Sequence, residues 1–137
     1  MTLYLDTSSL VKMYVEEEGS AAVAMLAAQA SLIAISTVGY AECRAGLARR
    51  RRGRAMSPSV HSALVARLDA DWSRFQAIDV DEALARRAGH LADRFDLRGF
   101  DAIHLASFEL LLERADDDDV RFSSADERLA RAAKRLG

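Results

Sequence analysis

The chain has 137 residues, a formal net charge of −2 and one cysteine, Cys43. Half of the residues are hydrophobic and one is proline, a composition that favours a single compact, largely helical domain over a disordered chain. The lone cysteine excludes a disulfide framework and a thiolate metal site. The sequence has no signal segment and no apolar run near the roughly 20 residues of a membrane span. We therefore expect a soluble cytoplasmic protein without a membrane partner.

The first fourteen residues predict a buried strand that is followed at once by a helix. Residues 3–5 form a short apolar run, Asp6 comes next, and residues 7–9 are of types that cap helices. Apolar residues then recur at helical spacing up to Tyr14. The carboxyl end of a strand in an open parallel sheet is where ligands bind. Asp6 is therefore either a helix cap or a residue of a functional site.

Strands and helices alternate along the rest of the chain. We predict strands over 32–35, 75–80 and 120–123, and helices over 20–30, 37–52, 58–72, 82–94, 100–112 and from 127 onwards. Asp79 with Glu82, and Ser124 with Glu127, have the spacing of capping boxes at helix starts. Strands separated by helices predict a parallel sheet with helices on both faces.

Four acids stand at comparable places in this pattern, after a strand or near the start of a helix: Asp6, Glu42, Asp101 and Asp126. In a parallel sheet all four lie at the same edge, where their mutual repulsion requires a positive partner. Ligand sets made only of oxygen suit Mg²⁺ or Mn²⁺, and Thr7 or Ser9 would add a hydroxyl or hold a ligating water. Alternatively, each acid only caps a helix or interacts with its dipole.

Two other residues have chemistry that a site would use. His104 lies one turn after Asp101 and either faces the site or, as we favour, is a core histidine bonded to backbone. Cys43 is expected to be a small buried residue and not a nucleophile. The chain has no glycine-rich phosphate loop, dinucleotide fingerprint or nucleophile elbow.

A basic run closes the helix predicted over 37–52. It consists of Arg49, Arg50, Arg51, Arg52 and Arg54. Arginine complements the negative end of a helix, but five exceed that need and favour a phosphate-binding role. Outside the four acids and the acidic run 116–119, which we expect to be a solvated loop, the chain is net positive. This distribution of charge is compatible with a polyanionic partner despite the negative total.

Four segments, LYLDTSSLVK, STVGYAECRAGLARR, LRGFDAIHLA and FSSADERLARAA, resemble in order the motifs of PIN-domain ribonucleases, and most closely those of the VapC-type toxins of toxin–antitoxin pairs. The resemblance covers nearly the whole chain. It implies a single PIN domain over residues 1–137, folded as a three-layer α/β/α sandwich with a four- or five-stranded parallel sheet.

The resemblance also implies an activity and a set of partners. The chain would be a metal-dependent endoribonuclease, the toxin of a type II toxin–antitoxin system, that hydrolyses RNA phosphodiester bonds with a water activated by one or two Mg²⁺ or Mn²⁺ ions. Asp6, Glu42, Asp101 and Asp126 would form its acidic site, with Asp6 and Asp101 as direct ligands and Ser124 beside the last acid. A homodimer and a small inhibitory antitoxin are further expectations.

Three other interpretations of the same pattern remain. A phosphohydrolase that uses Asp6 as nucleophile usually carries a second Asp two residues on, where this chain has Ser8. A receiver domain would carry a lysine after its last strand, and the segment from Ser123 to Asp126 has none. A catalytically inactive PIN-like module that binds RNA or protein is the non-enzymatic alternative.

Overall fold

Four strands and seven helices alternate along the part of the chain that the computed structural model describes, residues 1–116 and 118–136. The strands are β1 Thr2–Leu5, β2 Leu32–Ser36, β3 Gln76–Ile78 and β4 Val120–Ser123. The helices are α1 Thr7–Lys12, α2 Ser20–Gln29, α3 Thr37–Arg52, α4 Pro58–Trp72, α5 Glu82–Phe95, α6 Gly99–Arg114 and α7 Glu127–Lys134. No helix of these residues is both long and apolar enough to cross a membrane.

The strands form one sheet in the order β3-β2-β1-β4, and every neighbouring pair is parallel. Thr2 of β1 is in register with Leu32 on one side and with Val120 on the other. The chain moves outward from β1 to β3 and then returns to the opposite side of β1 with β4. In such sheets a crevice opens beyond the carboxyl ends of the strands where the order reverses. Here that place is the end of β1, directly before Asp6.

Side chains of β1 alternate between two cores, because successive residues of a strand point to opposite faces. Leu3 and Leu5 pack with α1 to α4, whereas Tyr4 packs with α5 to α7. Both cores consist of fully or nearly fully buried residues, most of them aliphatic, among them Leu47 and Leu68 on the first face and Leu105 on the second. The predicted three-layer α/β/α sandwich is confirmed, with four strands in the described residues.

Most predicted boundaries agree with the structure, and the exceptions have local causes. β3 has three residues instead of the six predicted over 75–80. Asp81, not Asp79, caps α5 and accepts a hydrogen bond of 2.8 Å from the backbone N–H of Leu84. Asp81 has extended backbone directly before the helix, which is the position that a capping side chain requires. At α7 the cap is Asp126 and not Ser124, so neither predicted capping box forms.

The acidic run 116–119 is described at three of its four positions, since Asp117 lies outside the described residues. Asp116, Asp118 and Asp119 are exposed, as expected for a solvated loop. The Asp119 carboxylate accepts two hydrogen bonds from Arg121, at 2.9 and 3.1 Å. The backbone carbonyl of Asp119 also accepts from the N–H of Thr2, which ties the loop to the start of β1.

We predict that Leu105→Ala lowers the free energy of unfolding by about 2–5 kcal/mol, because Leu105 is fully buried against the sheet and its truncation leaves a cavity. Leu112→Ala is the matched control, since this leucine of the same helix is 39% exposed. Urea unfolding measures both losses. Equal losses in the two variants would contradict the assignment of Leu105 to the core.

Candidate functional site

Asp6 lies where β1 ends, and its carboxylate is held by three donors. Oδ1 accepts from the hydroxyl of Ser8 at 2.7 Å and from the backbone N–H of Ser9 at 3.0 Å, and Oδ2 accepts from the hydroxyl of Ser124 at 2.5 Å. The backbone N–H of Asp6 donates to the carbonyl of Ser123 on β4, at 3.1 Å. Asp6 is 5% exposed, and these bonds compensate for the desolvation of its charge. It therefore caps α1 and also lies at the predicted sheet edge.

Glu42 approaches the same edge from the second turn of α3. Its Oε1 accepts a hydrogen bond of 2.6 Å from the hydroxyl of Thr7, the residue directly after Asp6. The Nε2 atom of His104 lies 3.0 Å from the same oxygen. Burial works to raise the pKa of Glu42, but the hydrogen bonds from His104 and Thr7 outweigh burial and hold that pKa below its ordinary value. Glu42 is therefore a carboxylate at neutral pH.

His104 is buried, as predicted, but its partners are side chains and not backbone. Its Nδ1 lies 2.8 Å from the hydroxyl of Tyr4, and its Nε2 faces Thr7 and Glu42, both at 3.0 Å. Burial raises the pKa of Tyr4 far above its usual range, so the phenol keeps its proton and donates it to Nδ1. The assignment that satisfies every group then places the histidine proton on Nε2, donating to Glu42. The expectation of a backbone-bonded histidine was wrong.

Asp101 lies in the first turn of α6, as predicted, and Glu42 on α3 faces the same cavity. The cavity has a volume of about 600 Å³ and is lined by Glu42, Arg98, Gly99, Phe100, Asp101 and Ile103. The Nε atom of Arg98 lies 3.6 Å from Oδ2 of Asp101. Helices from opposite faces of the sheet thus bring two of the predicted acids to one opening, beside the Thr7 that follows Asp6.

Asp126 is linked to this group only indirectly. Its carboxylate accepts from the backbone N–H groups of Arg128 at 2.9 Å and Leu129 at 3.3 Å, which makes it the N-cap of α7. Its own backbone N–H donates to the hydroxyl of Ser124, which in turn donates to Asp6. The side chain of Asp126 therefore has the role of a helix cap, which was the alternative prediction.

The hydroxyls predicted to support the site have different partners. Thr7, predicted to add a hydroxyl to a metal site or to hold a ligating water, donates its hydroxyl to Glu42 at 2.6 Å. The hydroxyl of Ser9 instead bonds to that of Ser123 at 2.8 Å, and only the backbone N–H of Ser9 reaches Asp6. Ser8 was not predicted as a site residue, although its position two residues after Asp6 is typical of a side chain that bonds back to an N-cap.

The site has donors of the right kind for a hard divalent cation, but they do not form a closed set. Within residues 1–116 and 118–136, no group of three or more His, Cys, Asp or Glu side chains is arranged to hold a metal ion. The oxygens of Asp6 and Glu42 are instead engaged by hydroxyl, amide and imidazole donors. Carboxylate oxygens fit Mg²⁺ or Mn²⁺.

The basic run lies along α3, away from this site. A helix rises about 1.5 Å per residue, so Arg49 and Arg52 lie about 10 and 15 Å along the axis from Glu42. Arg50 pairs with Glu17 at 3.0 Å. Within the described part of the chain the other four arginines make no ion pair: Arg49, Arg51, Arg52 and Arg54. The run therefore offers free positive charge, and it does so at a distance from the acids.

Comparison with known proteins places this geometry in a family. The model of the PIN domain matches residues 3–135. The chain is similar to Ribonuclease VapC45 of Mycobacterium tuberculosis strain CDC 1551 and to Ribonuclease VapC49 of strain H37Rv. Each of these is 34% identical over 109 residues, which cover 77% of this chain and 73% of the relative.

Solved structures share the fold at low sequence identity. VapC20 of Mycobacterium tuberculosis, a toxin that cleaves the sarcin–ricin loop, has a TM-score of 0.67 at 16% identity, covering 95% of this chain and 94% of its own. FitAcB of Neisseria gonorrhoeae has a TM-score of 0.68 at 17% identity, covering 96% and 93%. VapBC2 of Rickettsia felis, bound to a DNA fragment from its promoter, has a TM-score of 0.59 at 16% identity, covering 90% and 100%.

We predict that Asp126→Ala lowers the free energy of unfolding by about 1 kcal/mol, because two N–H groups of α7 lose their acceptor. Asp126→Asn keeps an acceptor at the cap and is expected to remain within a few tenths of a kcal/mol of the parent chain. Denaturant unfolding measures both variants, with Asp81→Ala at α5 as a second cap for scale. A parent-like stability of Asp126→Ala would contradict its capping role.

Proposed function

The chain belongs to the PIN-domain family, and from that premise we propose that it is a metal-dependent endoribonuclease that acts as the toxin of a type II toxin–antitoxin pair. One observation carries the proposal. Glu42 and Asp101, from helices on opposite faces of the sheet, line one cavity beside the loop that holds Asp6. A cluster of carboxylates at an open sheet edge suits the binding of a cation and the hydrolysis of a phosphodiester.

We propose Asp6 and Asp101 as the direct ligands of Mg²⁺ or Mn²⁺, with Glu42 and Asp126 as further members of the acidic site. When bound, such an ion would lower the pKa of an attacking water and stabilise charge on the scissile phosphate. The expected products carry 5′-phosphate and 3′-hydroxyl ends. No Ser, Cys or His of the chain is required as a nucleophile.

The residues around the acids act by positioning them. Ser8, Ser124 and the backbone N–H of Ser9 fix both oxygens of the Asp6 carboxylate. Thr7 and His104 fix Glu42 and keep its pKa low, so that it stays charged. These donors orient the carboxylates towards the opening that a cation would enter.

The residue two positions after Asp6 argues against the alternative in which Asp6 is a covalent nucleophile. Such phosphohydrolases usually carry a second Asp there, whereas this chain has Ser8, whose hydroxyl donates to Oδ1 of Asp6 at 2.7 Å. A catalytically inactive module that only binds RNA or protein would not cleave RNA in the presence of Mg²⁺.

We propose RNA as the substrate and a small antitoxin as the protein partner that covers the site. The names of the similar ribonucleases support the first proposal, and the structure of VapBC2 supports the second by its fold alone. A homodimer, a cytoplasmic location and a single domain over residues 1–137 complete the proposal. The family model, which spans residues 3–135, supports the single domain.

We predict that Asp6→Asn abolishes Mg²⁺-dependent cleavage of a mixed RNA pool, because it removes a charge from the proposed metal site. Asp93→Asn, which changes an exposed aspartate of α5, is the matched control and should cleave like the parent chain. Gel analysis of RNA with Mg²⁺, and with EDTA added, measures the activity, and circular dichroism checks the fold. Full activity of a folded Asp6→Asn variant would refute the metal assignment.

We predict that the double variant Arg51→Ala/Arg52→Ala binds RNA more weakly and with a flatter salt dependence. Removing one phosphate contact to a single strand changes the slope of log K against log salt by about 0.7. The double variant Arg86→Ala/Arg131→Ala removes the same charge from α5 and α7 and serves as control. Fluorescence anisotropy over a salt series measures the slopes. Equal slopes in the two variants would exclude these arginines from the RNA path.

A further inference from the structure

Phe100 is an aromatic residue whose side chain is exposed to solvent instead of packed in the core. It is 58% exposed, directly before Asp101 in the first turn of α6. In the described part of the chain it is the one aromatic among the exposed large hydrophobic residues; the others are Met25, Leu32, Val60 and Leu112. None of those four lines the cavity at Glu42 and Asp101. Leaving such a ring in water forgoes burial that would stabilise the fold.

The cavity combines an apolar wall with the proposed catalytic edge. Phe100 and Ile103 supply the wall, and Glu42 and Asp101 line the same space. A Cβ atom added at Gly99 would meet no atom within 4 Å, so the space in front of this turn is open. A flat, apolar group can therefore lie against Phe100 while a group attached to it reaches the carboxylates.

Arg98 adds a positive charge at the rim of the cavity. Its side chain is 89% exposed, and its Nε atom pairs with the Asp101 carboxylate at 3.6 Å. An exposed ion pair of this length holds its partners weakly, because water screens it and both side chains keep their freedom. The guanidinium can therefore leave Asp101 for a stronger anion, and a phosphate accepts from guanidinium in a bidentate manner.

We propose that Phe100 and Arg98 form a nucleotide subsite, in which the ring of Phe100 stacks on an unpaired base next to the scissile phosphate and Arg98 contacts a neighbouring phosphate. This inference rests on the proposed ribonuclease function and specifies its substrate as single-stranded at that nucleotide. Stacking on an aromatic ring needs a base freed from pairing and tolerates any base identity. A base with its phosphate matches the apolar wall and the cation, and it brings the phosphodiester to Glu42 and Asp101.

RNA binding to a cleavage-deficient chain tests the subsite. In the Asp6→Asn background with Mg²⁺, anisotropy of a labelled single-stranded oligonucleotide should show about 5- to 150-fold weaker binding after Phe100→Ala, the range expected when one base stack is removed. Phe100→Tyr should bind like its parent. Leu112→Ala, which removes an exposed apolar side chain from the far end of α6, is the matched control. Arg98→Ala should weaken binding and lower the salt slope by about 0.7.

Kinetics of the chain that retains Asp6 give a second measurement. Phe100→Ala should raise KM for single-stranded RNA more than it lowers kcat, since the ring contributes to binding and is not among the reacting groups. Because the side chain is exposed, thermal unfolding of the variant should match that of the parent.

The outcomes separate the subsite from the function on which it rests. If the parent chain cleaves RNA and Phe100→Ala binds and cleaves like Leu112→Ala, the subsite is overturned and the ribonuclease stands. The subsite is also overturned if Phe100→Ala weakens binding of a protein partner but not of RNA. A parent chain that neither binds nor cleaves RNA removes both proposals.

Discussion

Carboxylates that converge on one sheet edge repel one another, and the structure of this edge depends on how that repulsion is compensated. At Asp6 the compensation comes from Ser8, Ser124 and the N–H of Ser9, and at Glu42 from Thr7 and His104. These hydrogen bonds orient both carboxylates and hold the pKa of Glu42 below its ordinary value. Repulsion between neighbouring carboxylates would be removed by a bound divalent cation.

Tyr4 connects this edge to the core of the fold. On one side its ring stacks on Phe122 of β4, with ring centroids 5.4 Å apart, and on the other its hydroxyl bonds to His104. The other ring nitrogen of His104, Nε2, lies 3.0 Å from Oε1 of Glu42. The side chain of a fully buried central-strand residue thus determines how an acid at the surface is held. Packing on the α5–α7 face and geometry at the site are therefore coupled through one hydrogen-bonded chain.

The sequence predicted the strands and helices well because each is marked by residues that are close together in the chain. The helix predicted over 58–72 coincides with α4, and the apolar run 3–5 ahead of Asp6 lies within β1. The choice of Asp81 over Asp79 as a cap was missed because β3 ends early and leaves two acids within reach of one helix start. The partners of His104 were missed for a different reason. Tyr4 is 100 residues away, and no spacing rule predicts a contact that only tertiary packing creates.

Arginines lie at two distances from the acidic edge, and the near and the distant ones would contact an anionic substrate differently. Arg98 lies within 3.6 Å of Asp101, so it meets a phosphate by direct contact. The backbone of the arginines at the end of α3 begins about 10 Å along the helix axis from Glu42. These arginines would act on a longer strand by separate phosphate contacts. The distribution of charge, and not the net value of −2, therefore governs how a polyanion meets this protein.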